Sequence, residues 1–267
     1  MQMLPGLDLA GLRALSPEKM MQAALIVDEL VTRQSRRQFF NLFPVEDTVQ
    51  RDGRVIHSRT KYPKHLEFFE AGAKYRERCF MAGNRIGKTT TGSFETTCHL
   101  TGLYPDWWLG RRFNEPVRAW ACGKKNETTR DIVQAALLGE VVFDGARKVV
   151  SGTAMVPGRL VGKPSWKQGV QDLVDTVKIK HVSGGWSTLG FKSYEQGRGS
   201  FEGTAQHVIW LDEECPIDVY GECLVRTMTT NGCLLLTFSP LEGMTETVMQ
   251  FMLPEYRPTP TTGWRQT

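Results

Sequence analysis

No apolar run in this chain approaches the roughly eighteen residues needed to cross a bilayer. The N-terminus also lacks the basic, apolar and small-residue order of a secretory leader. The six cysteines, Cys79, Cys98, Cys122, Cys215, Cys223 and Cys233, contain no Cys-x-x-Cys pair. Several lie in apolar segments, so they read as buried reduced thiols rather than disulfides or zinc ligands. The five histidines have no ligand spacing either. Nor does charge of one sign dominate. The net +4 is too mild to argue for nucleic acid by itself. Local basic clusters, Arg33, Arg36 and Arg37, then Arg51, Arg54, Arg59, Lys61 and Lys64, are explained as well by solvated surfaces. Aspartate is missing after Asp218. What is present, 267 residues with 40% hydrophobic and 23% charged, suits one large α/β domain of cytosolic type.

The most informative stretch is Ala82-Gly83-Asn84-Arg85-Ile86-Gly87-Lys88-Thr89-Thr90. It follows a short strand candidate, Arg78-Cys79-Phe80-Met81, and opens a helical segment from Thr90 to His99. Strand, loop, then Gly-Lys-Thr at a helix start is the P-loop order. Backbone N–H groups and the helix N-terminus would cradle phosphates. Lys88 would reach the β- and γ-phosphates, and the Thr89 hydroxyl would ligate Mg²⁺. A bare Gly-Lys-Ser/Thr arises by chance in roughly one chain in ten of this length, so its weight depends on a second site.

That site is Val208-Ile209-Trp210-Leu211-Asp212-Glu213-Glu214, an apolar run ending in carboxylates. It reads as a buried strand delivering acids to its C-terminal end. Asp212 would hold Mg²⁺ and Glu213 would polarise an attacking water; taken alone, a strand with an acidic turn explains the run. A third strand, Gly232 to Phe238, turns polar at Thr237 and Ser239 before Pro240. In a parallel sheet its hydroxyls emerge beside Asp212, where they could sense a γ-phosphate, though an ordinary turn accounts for them too.

Further elements frame these three. Ser16-Pro17-Glu18 starts a helix running to about Phe40, with Pro44 beyond its end, so residues 1–60 form an N-terminal helical appendage or lid. In Tyr62 to Phe69, Tyr62 and His65 could receive a base, or the segment could be a core-packed helix. Val117 to Gly123 reads as a strand, and Asn126 to Leu138 as its crossover helix, capped by Asn126. Residues 144–173 show little pattern. Thr176 to Ser193 reads as a hairpin turning at Ser183-Gly184-Gly185. Arg198, between Gly197 and Gly199, is either a solvated loop residue or an arginine finger for a neighbouring subunit.

In this order the elements resemble the N-terminal ATPase domain of the tailed-bacteriophage large terminases, motors that package DNA into procapsids. The resemblance spans roughly residues 60–250. That family often lacks the first loop glycine and carries a mid-loop arginine, as at Ala82 and Arg85. It also places an Arg-Gly before the acidic strand, matched by Arg198-Gly199. Its Thr- or Ser-bearing strand, which couples hydrolysis to DNA movement, is matched by Thr237 and Ser239. Leu241 to Glu246 looks like its exit towards a linker.

The resemblance implies a three-layer RecA/ASCE-type P-loop NTPase, an α/β fold with a mostly parallel central sheet. It implies ATP and Mg²⁺ as ligands, with Gly83 to Thr90, Tyr62 and His65 on ATP, Thr89 and Asp212 on the metal, and Glu213, Arg198 and Arg85 catalytic. Implied partners are double-stranded DNA, further copies in a ring, a portal protein on a procapsid and a small terminase subunit, in the host cytoplasm and without a membrane.

Two departures stand out. His65 occupies a place often held by Gln. With no aspartate after Asp218, residues 219–267 cannot build the metal-dependent nuclease that such proteins usually add. The expectation is an ATPase core over residues 61–250 and the start of a linker at 251–267. Lys163, Lys167 and the 178–192 hairpin are candidate DNA contacts. A RecA-like helicase or recombinase, or a non-catalytic nucleotide-gated module, are the alternatives. A GTPase is disfavoured because no Asn-Lys-x-Asp is present.

Overall fold

The computed structural model describes residue 16 and residues 18–22, 38–50 and 53–252. Residues 18–22 are helical. Ser16 starts them, its carbonyl accepting from Met20 N at 2.8 Å and its hydroxyl from Lys19 N at 3.5 Å. The middle of the expected first helix, together with Arg33, Arg36, Arg37 and Arg51, lies outside the described residues. One helical turn, Gln38–Asn41, ends ahead of Pro44 as expected.

The chain then forms a small hairpin of β1 (Thr48–Val49) and β2 (Val55–Ile56). Helix α1 (Pro63–Ala71) leads to β3 (Glu77–Met81) and α2 (Lys88–Thr101). After β4 (Arg118–Gly123) comes a helical crossover through residue 138, π-helical over Thr129–Gln134. Strands β5 (Val141–Asp144) and β6 (Arg147–Val150) form a second hairpin. β7 (Val161–Trp166), β8 (Val174–Lys180), β9 (Trp186–Ser193) and β10 (Val208–Asp212) follow, then α3 (Ile217–Met228), β11 (Cys233–Phe238) and α4 (Glu246–Phe251).

The central sheet has seven strands in the order β3-β11-β10-β4-β9-β8-β7. The first five are parallel, β8 pairs antiparallel with β9 and β7 antiparallel with β8, giving the mostly parallel α/β sheet expected. β10 and β11 are buried at every position, as parallel strands covered on both faces must be. Alternate side chains of β10 feed two cores. Val208 and Trp210 pack with Phe94, Cys98 and Leu100 of α2, while Ile209 and Leu211 pack with Val219 and Cys223 of α3. Phe39 and Phe43, from the segment expected to be an appendage, also enter the α2-side core, where Phe39 stacks on Phe94 at 5.0 Å.

Helix α2 buries eleven of its residues although most are polar. Three of its hydroxyls bond carbonyls about one turn back, Thr91 donating to Gly87 O, Ser93 to Thr90 O and Thr101 to Thr97 O, whereas the buried Thr96 and Thr97 hydroxyls have no hydrogen-bond partner among the described residues. Glu95 and His99 meet Arg78 of β3 in the same core. Arg78 Nη2 lies 2.6 Å from Glu95 Oε1, and His99 Nε2 lies 3.2 Å from that oxygen. Burial works against the charge on each of the three. Attraction to Arg78 and hydrogen bonding to His99 nevertheless hold the Glu95 carboxyl below its ordinary range, while Tyr104, Cys233 and Glu95 together push His99 well above its own.

Two readings of the sequence need correction. Residues 144–173 are not patternless, since β6 and β7 lie there. β7 hides because it contains Gly162 and Pro164. Proline is tolerated on this edge strand, and a Cβ at Gly162 would come within 2.9 Å of Lys178 O. Asn126 does not cap the crossover helix; Lys125 holds that position. The Asn126 side chain instead accepts from Ser193 Oγ at 3.1 Å, and its N–H donates to Glu195 at 2.7 Å.

Candidate functional site

β3 ends at Met81 and α2 starts at Lys88, so the six residues between them form a loop at the C-terminal edge of the sheet. Arg85 at φ 62° and Gly87 at φ 84° adopt left-handed conformations, which turn the loop sharply into the helix. Glycine takes such angles freely, whereas arginine there carries a strain of about 1–3 kcal/mol. Lys88 Nζ folds back to donate to Gly83 O. His65 Nε2 reaches Ile86 O at 3.0 Å, pinning α1 to the loop. Burial holds the His65 pKa below its usual value, so the neutral ring donating through Nε2 satisfies that carbonyl.

β10 pairs with β11 so that Asp212 lies opposite Thr237. Thr237 Oγ1 donates to Asp212 Oδ1 at 2.6 Å and receives the Trp210 indole N–H at 2.8 Å. From the other side, Thr89 Oγ1 lies 3.1 Å from Asp212 Oδ2. Burial raises the Asp212 pKa from 3.8 to about 6, against the lowering effect of the Thr237 and Thr89 hydroxyls. A largely desolvated carboxylate beside a Thr hydroxyl at a helix start is an oxygen donor set suited to Mg²⁺. These residues therefore fit the metal.

The next residue, Glu213, has φ 66°, a second non-glycine residue in the left-handed region beside this site. Its N–H donates to Thr237 O at 2.9 Å, which fixes the kink at the strand end. Ser239 Oγ donates to Ala82 O at 2.8 Å and lies 2.9 Å from Asn84 Oδ1, tying the end of β11 to the loop. Tyr194 OH, from the turn after β9, donates to Asp212 O at 2.8 Å.

These groups surround a cavity of about 780 Å³. Of the residues expected from the sequence, Asn84, Arg85, Gly87, Lys88, Thr89, Thr90, Asp212, Glu213, Thr237 and Ser239 line it. Gly83 contributes its carbonyl to Lys88 from behind the loop. Tyr62, His65 and Ile86 line an adjoining cavity of about 420 Å³ with Leu42 and Phe43, and both cavities touch Arg85, Gly87 and Thr90.

Arg198 is not among the residues of the large cavity. It sits in a short turn, Arg198–Phe201, paired with Glu222 of α3 at 3.1 Å, with 58% of its side chain exposed. Sequence reasoning missed Lys124 and Glu242, which line the large cavity together with Glu214 of the acidic run. Lys124 and Glu242 form an ion pair of 2.9 Å across its wall. Their only signal was position, Lys124 just beyond the end of β4 and Glu242 just beyond β11.

Comparison with known proteins identifies the family. The family model described as terminase large subunit, T4likevirus-type, N-terminal, matches residues 79–261. The large terminase subunit of Salmonella phage P22 is 37% identical over 226 residues, covering 78% of this chain and 44% of that protein. The chain thus spans less than half the length of this relative. Two solved structures are more distantly similar. The large terminase of a thermophilic bacteriophage, in complex with ADP, has 14% identity and a TM-score of 0.43 over 67% of this chain and 37% of its own. The HK97 bacteriophage large terminase has 12% identity and a TM-score of 0.46, over 78% and 37%. The sequence resemblance is borne out by the family match, which takes in the phosphate-type loop, the acidic strand and β11: the chain belongs to the terminase large-subunit family.

Proposed function

We propose that this chain is the ATP-hydrolysing part of a DNA-packaging motor, using Mg²⁺ and ATP to drive double-stranded DNA into a procapsid. The observation that carries this reading is the meeting of Thr89 and the buried Asp212 carboxylate, 3.1 Å apart, beside Lys88 at the start of α2. Lys88 and Arg85 take the triphosphate, and the loop N–H groups orient it. Thr89 and Asp212 hold Mg²⁺, which when bound offsets charge on the phosphate oxygens. Glu213 orients the attacking water in line with the γ-phosphate. Catalysis is then largely positioning and electrostatics.

Tyr62 and His65 border the space for the base. Thr237 and Ser239 couple the state of the site to motion of the chain that follows β11. Residues 61–250 are read as the nucleotide core, residues 1–60 as a lid on it and 251–267 as the beginning of a linker to a nuclease in the full-length protein. Arg198, exposed and outside its own cavity, acts on the ATP of the next copy in a ring. That ring works with a portal protein and a small terminase subunit in the host cytoplasm.

The test is Glu213→Gln, assayed for nucleotide binding by fluorescent ATP analogue and for phosphate release. Retained binding with turnover reduced at least about a hundredfold is expected. Turnover at the parent rate would remove Glu213 from its assigned role.

A further inference from the structure

The ion pairs around Arg198 carry an inference that rests on the in-trans reading above and deepens it. Arg198 leaves the sheet after β9, which is separated from β3 and its phosphate-type loop by β4, β10 and β11. At roughly 4.8 Å per strand, that is about 19 Å across the sheet. Its backbone is anchored by Phe201, which is fully buried, and by Lys192 Nζ donating to Ser200 O at 2.6 Å. Gly197 and Gly199 on either side have open space where a Cβ would stand. Packing therefore fixes the base of the turn but does not fix the Arg198 side chain.

Glu222 does that. Arg198 Nε and Nη2 both lie 3.1 Å from Glu222 Oε2, and Nη1 makes no hydrogen bond among the described residues. The second Glu222 oxygen pairs with Arg226 Nη2 at 2.9 Å, one helical turn on. Arg226 is itself held in place, with Nη1 donating to Gly203 O at 2.6 Å. Glu222 is 5% exposed while the Arg198 side chain is 58% exposed. A lone Glu222–Arg198 pair would be neutral and would offer an anion little. With Arg226 the cluster has two cations and one carboxylate, so its outward arm keeps a net positive charge.

We propose that Glu222 and Arg226 are positioning residues that hold the Arg198 guanidinium by one edge and present the other, still cationic, to the triphosphate bound by a second copy of this chain. The buried carboxylate sets direction, and Arg226 prevents it from cancelling the charge it directs. An arginine held in this way loses less side-chain freedom when it meets the phosphate.

Mixing experiments test this. Lys88→Ala chains cannot hold nucleotide but keep Arg198, whereas Arg198→Ala chains keep the nucleotide site. A one-to-one mixture with ATP, Mg²⁺ and duplex DNA should regain turnover well above either variant alone. Replacing the donor with the double variant Lys88→Ala/Glu222→Gln should cut the regained kcat roughly ten- to hundredfold, with KM for ATP unchanged. Full restoration by that double variant would overturn the positioning role and leave the in-trans reading standing. No restoration by Lys88→Ala chains would overturn the in-trans reading, and this inference with it. If the Glu222→Gln donor fails to fold, as judged by its urea midpoint, Lys88→Ala/Arg226→Met serves instead, with restoration again overturning the proposal.

Discussion

Substituting Gly92 by alanine sets two physical effects against each other. Gly92 lies inside α2, and by helix propensity alone alanine there should stabilise by about 1 kcal/mol. Yet an ideal Cβ on Gly92 would stand 2.1 Å from Trp210 Nε1 and 2.3 Å from Cε2. Trp210 is fully buried in β10, between α2 and the β11 hydroxyl it binds, so it has no free space to move into. Overpacking of this kind costs about 1–3 kcal/mol. A displaced indole also leaves a buried N–H donor without Thr237, a further loss of about 1–3 kcal/mol. The net expectation is a destabilisation of about 1–5 kcal/mol, opposite in sign to the propensity effect.

Because Thr237 also bonds Asp212, the same change should loosen the carboxylate and weaken Mg²⁺-dependent nucleotide binding. Urea unfolding followed by tryptophan fluorescence reads the first effect, and titration with ATP in Mg²⁺ against EDTA reads the second. A Gly92→Ala chain with an unchanged or raised urea midpoint would refute the claim that close approach of α2 to Trp210 sets the site.

Glu95→Gln should be the most damaging conservative change in the α2 core, since it leaves Arg78 and His99 charged and buried without their carboxylate. A loss of about 3–5 kcal/mol is expected in urea unfolding, and a loss under about 1 kcal/mol would count against the triad. Asp212→Asn should act in the opposite direction on stability. The Asp212 pKa rises from 3.8 to about 6 on folding, so the native state takes up a proton that the unfolded chain does not. This contribution is fully present below about pH 4 and is lost as pH rises through 6. At pH 8 without metal the Asn variant should therefore be about 1–2 kcal/mol more stable than the parent, while losing Mg²⁺-dependent nucleotide binding. A variant less stable than the parent would show that the ionised carboxylate is better accommodated than its burial implies.

What the sequence made legible was whatever lay in one contiguous run. The loop before α2, the β10 carboxylates and the β11 hydroxyls each combine a strand with its functional end, and the strand order then aligned them. The hairpin of β8 and β9 was legible for the same reason, its turn being marked by two glycines. Contacts made by residues far apart in sequence were not legible. Lys124 and Glu242 reach the cavity from separate loops, 2.9 Å apart in space and 118 residues apart in the chain. The Arg78–Glu95–His99 cluster was hidden because Arg78 begins the strand candidate before the loop while Glu95 and His99 lie on the helix after it, seventeen or more residues on. Nor did the sequence mark the burial of α2, whose polar Thr91, Ser93, Thr96 and Thr97 are all fully buried. Small hydroxyl side chains let α2 approach the sheet closely, a requirement that hydrophobic periodicity cannot register.

β11 occupies the position from which hydrolysis could be felt elsewhere in the chain. Thr237 binds the Asp212 carboxylate, and Ser239, just beyond the strand, binds Ala82 O and Asn84 Oδ1. One strand end is therefore tied both to the proposed metal ligand and to the proposed phosphate loop. The chain that follows it is tied again, through Glu242 to Lys124 at the end of β4 and through Thr245 to Glu214. A shift of the loop when the γ-phosphate leaves would pull on Ser239. Asp212 sits on a fully buried strand and cannot follow, so the strain falls on the exposed segment beyond Pro240. That segment carries Leu241 at 79% exposure. On the proposed reading, motion leaves the site along this route because it begins at an exposed segment, whereas Asp212 and Thr237 are buried.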